Sequence, residues 1–96
     1  TMAAELARMG TIPPGEVKTN RYANVLTRAI GPQPSVQVDT LGLTRLDSYV
    51  DGRPLKSMDI DDGNHQFTLQ IADAAIMLEL AGYDGQDYVA ARKLQL

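Results

Sequence analysis

IMLELAGYDGQDYVAARKLQL, residues 76–96, is the stretch whose reading decides the fold. Together with Ala74-Ala75 it opens on strong helix formers, with Asp73 where an N-cap would stand and Gly82 where a C-cap would stand. Yet Ile76, Leu78 and Leu80 alternate with Met77, Glu79 and Ala81, and Tyr83-Asp84-Gly85 leads at hairpin distance into a second run, Tyr88 to Leu96. Pattern and context outweigh propensity, and the stretch reads as two antiparallel strands. In the second run Val89 and Ala91 share one face and Leu94 and Leu96 the other, which predicts a bulge near Arg92-Lys93.

Working outward, the same texture extends back to residue 35. Val36 and Val38 alternate with Gln37 and Asp39, and Leu43 to Val50 ends on Asp51-Gly52, a dipeptide suited to the positive φ angles of tight hairpins. Pro54 to Ile60 supplies the returning strand, with the proline tolerable at its start or on an edge. After the turn Asp61-Asp62-Gly63-Asn64, Phe67, Leu69 and Ile71 alternate with Gln66, Thr68 and Gln70. Ahead of residue 35 the pattern differs. MAAELARM (2–9) predicts a two-turn helix stopped by Gly10, with Met2, Leu6 and Met9 on one side. Between Pro13-Pro14-Gly15 and Gly31-Pro32, the stretch Glu16–Ile30 places Tyr22, Val25, Leu26 and Ile30 on a helical face. Val17, Thr19, Tyr22 and Val25 also fit an edge strand, but the helical reading is taken. The expected organisation is a helical and extended arm over 1–34, followed by a β domain over 35–96.

Composition bounds the chemistry. With 96 residues there is core enough for one domain. Nine Lys+Arg against twelve Asp+Glu leave a net charge of -3, without the positive field that phosphate backbones reward. Nucleic acid is therefore not an expected partner, and no apolar run reaches the length of a membrane span. Zero cysteines exclude disulfides, thiol nucleophiles and thiolate metal sites. Thr1 ahead of Met2 suggests a piece of a longer parent.

The order of pieces from Ser35 to Leu96 resembles the immunoglobulin-like β-sandwich modules of bacterial multidomain proteins: a V-x-V strand, the hairpin VDGRPL, DDGNHQFTLQI, an ADAA connector, and LELAGYDG leading to YVAARKLQL. The resemblance implies a mainly β fold, a small antiparallel sandwich, and non-catalytic work such as spacing, docking or adhesion. It implies no shared active-site residues and no cofactor. A second likeness, of NRYANVL (20–26) and YVDG (49–52) to segments of protein tyrosine phosphatases, fails on chemistry, since those enzymes need a cysteine thiolate in a phosphate-cradling loop.

The remaining candidates are weaker than their ordinary readings. Counted from Asp59, a calcium-binding helical loop would place its required residues on Gly63, Asn64 and Gln70, which do not fit; Asp59, Asp61 and Asp62 read as turn acids, with an irregular rim site joined by Asp84 or Asp87 as the rival. His65 is the single histidine, with no nucleophile signature around it, so no catalytic residue is expected. A helical pair over 74–94 would make a helix-turn-helix, but Arg92 and Lys93 alone are too little charge for DNA. Tyrosines give flat apolar area with a polar tip. Tyr49, Tyr83 and Tyr88, with Arg53 in the 51–53 turn, are the expected binding residues. The expected partner is another protein or a neighbouring domain; carbohydrate, or a catalytic domain to which this segment is accessory, is the alternative.

Overall fold

The computed structural model describes residues 23–29 and 35–96, and every regular element among them is a strand. In chain order these are β1 (Asn24–Ala29), β2 (Ser35–Leu41), β3 (Arg45–Val50), β4 (Arg53–Asp59), β5 (Asn64–Gln70), β6 (Met77–Asp84) and β7 (Asp87–Gln95). They form two antiparallel sheets, here called A and B, of order β1-β2-β5 and β4-β3-β6-β7. The helix expected over 2–9 lies outside the described residues.

The inner rows follow from alternation and register. Val25, Val36, Val38 and Leu69 from sheet A join Leu46, Leu78, Leu80 and Ala90 from sheet B in one core. Leu43, fully buried, comes from the link between β2 and β3. Its seat exists because Gly82 has no side chain: a Cβ there would stand 2.7 Å from Leu43 Cδ1 and 3.2 Å from Ala90 Cβ. Burying such a leucine contributes about 1.5–3 kcal/mol. The sheets approach most closely where β1 lies beside β7 and β6, whereas β4 has only β3 beside it among the described strands, and most of its residues are exposed.

The turns obey local chemistry. Asp51 (φ 51°) and Gly52 (φ 79°) are both left-handed, as a two-residue I′ hairpin between β3 and β4 requires. Gly85 (φ 60°) is the first central residue of the β6–β7 turn, the glycine place of a II′ hairpin. Asp51 is more than a turn residue: its carboxylate accepts from the backbone N–H of Ile76 (3.0 Å) and Met77 (2.9 Å), and its own N–H donates to the Met77 carbonyl (2.9 Å). At the opposite pole, Thr44 N–H donates to the Tyr83 carbonyl (2.8 Å), Thr44 Oγ1 accepts from Gly85 N–H (2.7 Å), and the Thr44 carbonyl accepts from Ile60 N–H (2.9 Å).

Two expectations are corrected. Residues 24–29 are not helical; they pair with β2 from Asn24 opposite Leu41 to Ala29 opposite Val36. A six-residue stretch closed off by Gly31-Pro32 gains more from a full ladder than from an isolated turn or two of helix. The bulge in β7 is at Val89, not at Arg92-Lys93: Gly82 is paired with Ala90 but Tyr83 with Tyr88. The extra residue turns two consecutive side chains, Val89 and Ala90, into the core, beside the room left by Gly82.

Candidate functional site

Register, not sequence proximity, brings three of the four expected binding residues together. On the outer face of sheet B, Tyr49 opposes Glu79, Tyr83 opposes Arg45, and Tyr88 opposes Tyr83. Tyr49, Ala81 and Tyr83 form a second apolar cluster with Tyr88 packed against it. The Tyr83 and Tyr88 rings lie 5.4 Å apart at 30°, and the Arg45 guanidinium sits 4.0 Å from the Tyr83 ring centre. Arg45 Nε is 3.4 Å from Asp47 Oδ1, which also accepts from Ser57 Oγ at 2.6 Å. Arg53 stands elsewhere, exposed at the β3–β4 turn, where a shallow hollow is lined by Val50, Leu55, Ala72 and Ala75.

This face is closed. Tyr83 is 5% exposed and Tyr49 8%, so neither offers a free ring for stacking, and Glu79 and Ala81 between them are fully buried. Burial sets the tyrosines' acidity. Loss of solvent raises the Tyr49 and Tyr83 hydroxyl pKa above the usual 10, Asp47 adding to the effect in both, and pushes Tyr88 up to about 12. The Tyr88 hydroxyl is buried without a hydrogen-bond partner among the described residues. Such an arrangement holds the sheet together; a tyrosine so hard to ionise is no general base at neutral pH.

The outer face of sheet A is the reverse. Its row reads Asn24, Leu26 and Arg28 on β1, Gln37, Asp39 and Leu41 on β2, and Gln66 and Thr68 on β5. A chain of hydrogen bonds runs across the strands: Arg28 Nη2 donates to Gln37 Oε1 (2.6 Å), Gln37 Nε2 to Asp39 Oδ1 (3.5 Å), and Gln66 Nε2 to the same Asp39 oxygen (2.9 Å). Leu26 and Leu41, 49% and 45% exposed, flank Asp39 and line a cleft of about 560 Å³ with Asn24, Asn64 and Gln66. His65, half-buried, reaches the same cleft from the end of β5. Sequence reading passed over this face, because its only signal is long polar side chains at every second position of three strands. Among the described residues, no group of three or more acidic or histidine side chains could hold a metal ion, and no helix is long and apolar enough to cross a membrane.

Against known proteins, the chain matches no family model, no curated protein and no solved structure.

Proposed function

We propose that the chain is a non-catalytic interaction module of immunoglobulin-like architecture, docking another protein or a neighbouring domain on sheet A. The architecture is supported by the division of strands. First, second and fifth lie in one sheet and third, sixth and seventh in the other, as in immunoglobulin sandwiches, with the fourth here joining the third. The function rests on a single observation: the outer face of sheet A carries two half-exposed leucines beside a polar network already locked in place. Side chains ordered before contact lose less freedom on binding, and leucines at the centre of a polar rim are what a docking patch buries.

The test is affinity capture from the protein's own source, with wild type compared to a Leu26→Asp, Leu41→Asp double variant and to Lys56→Glu on β4 as control. A protein retained by wild type and control but lost with the double variant supports the reading. Retention indifferent to the double substitution, or turnover of a substrate by the purified chain alone, overturns it.

A further inference from the structure

Among the described strands, four lie at sheet edges, and three of them are guarded. β4 carries Arg53, Pro54, Lys56 and Asp59, and its register slips at Leu55, which has no partner in β3. β7 carries Asp87, Arg92 and Lys93 and is bulged at Val89. β1 carries Arg28 and has β7 beside it. Charges, prolines and bulges of this kind keep an edge from pairing with other chains. β5 has none of them: NHQFTLQ holds no proline and no acidic or basic residue except His65, and its register with β2 is unbroken. Among the described residues, no backbone hydrogen bond from β5 goes anywhere but β2.

We propose that the open edge of β5 adds an extended strand from a partner protein, a strand uncharged in its middle and bearing lysine or arginine at both ends. The proposal rests on the reading of the chain as an interaction module but uses the edge of sheet A, not its face. Two features set the partner's chemistry. Along the strand, Phe67 is half-buried at the rim of the core while Gln66, Thr68 and Gln70 are exposed on the other side, so the incoming strand alternates apolar residues inward with hydroxyl or amide residues outward. At the ends the edge is acidic: exposed Asp61 and Asp62 lead into β5 and exposed Asp73 follows it, and no lysine or arginine occurs between Lys56 and Arg92. The same acids disfavour a second copy of the chain. Paired antiparallel about Phe67, two β5 strands would set Asp61 and Asp62 of each copy against Asp73 of the other.

The experiment titrates the whole, isotope-labelled chain with acetyl-Lys-Lys-Thr-Val-Thr-Val-Thr-Lys-Lys-amide and with its glutamate-ended counterpart, following backbone amide shifts. The lysine-ended peptide should shift alternate amides of β5 saturably, with affinity about tenfold above the glutamate-ended one. Raising salt to about 0.5 M should erase most of that preference, because screening acts within a few ångströms there. The paired substitution Gln66→Lys, Thr68→Lys, on exposed positions that leave the core intact, should abolish the β5 shifts. Absence of β5 shifts, equal binding of both peptides, shifts confined to β4 or β7, or dimerisation of the chain alone by light scattering would each overturn the proposal. The Leu26→Asp, Leu41→Asp variant separates the two readings: it should still take up the peptide on β5 even where it has lost the partner that docks on the face.

Discussion

The outer faces of the two sheets share one backbone geometry and opposite fates. Sheet B turns Tyr49, Ala81, Tyr83 and Tyr88 outward, the first three buried and Tyr88 packed half-buried against them, so that this side is effectively a second core. Sheet A turns glutamines, Asp39 and two leucines outward and leaves them in reach of solvent. The difference teaches that an outward-facing row is not a solvent row by default. Aromatic and small side chains gather into one cluster there, whereas long amides bridge neighbouring strands.

The largest effect expected from this contrast is that of Tyr83→Ala. Removing the central ring should cost about 3–5 kcal/mol in urea unfolding, a core-sized loss from an outer face. A cost below that of an ordinary surface change would show that sheet B's face is open after all. Next comes Gly82→Ala, which drives a methyl into Leu43 and should cost about 1–3 kcal/mol; the same assay reads it, and a neutral result would mean that Leu43 has somewhere else to go. Alkaline titration sharpens the comparison further. The folded pKa values of Tyr49, Tyr83 and Tyr88 are raised, so the stability they contribute is complete below the usual 10 and is lost as pH rises toward about 12, the value for Tyr88. Tyrosinate absorbance should therefore rise in step with unfolding; ionisation of all three near 10 in the folded protein would contradict the burial.

Smaller effects follow. Asp51→Ala removes a carboxylate that accepts from two amides and should cost about 1–2 kcal/mol, with faster hydrogen exchange at Ile76 and Met77 as the local readout. Tyr88→Phe deletes a buried hydroxyl with no partner among the described residues and should leave stability unchanged or raise it by about 1 kcal/mol. On sheet A, Leu26→Ser should stay within about 0.5 kcal/mol of wild type. A larger loss there would mean that the leucine is structural and not available to a partner.

How much of this was legible beforehand depends on how local the cause is. Asp51-Gly52 and Gly85 were readable because positive φ selects for those residue types, and β5 was readable because one strand's alternation suffices. β6 was readable only by weighing alternation against helix propensity. β1 was misread: Val25 and Leu26 satisfy a helical spacing, and what settles their conformation is a ladder to residues more than ten positions away. The bulge was expected from phase alone and placed three residues late, since the deciding vacancy is at Gly82 on the neighbouring strand. For the binding residues, tyrosine chemistry could be named from sequence, but not that Tyr49 and Tyr83, 34 positions apart, would be buried in one cluster with Ala81. The amide row of sheet A gave no warning, because each of its members alone is an ordinary polar strand residue.

Thr44 has a consequence for anyone who would re-engineer this scaffold. Its amide, hydroxyl and carbonyl fasten two separate segments, the β6–β7 hairpin at Tyr83 and Gly85 and the chain leaving β4 at Ile60, to a single post. Lengthening the 84–87 hairpin would therefore tug on the chain leaving β4, so this inviting tip is a poor place to graft foreign residues. The 72–75 connection lies at the other pole and closes onto itself, Ala75 N–H to the Ala72 carbonyl, with Asp51 gripping the chain just after it at Ile76 and Met77, so an insert beside Asp73 leaves the Thr44 post undisturbed.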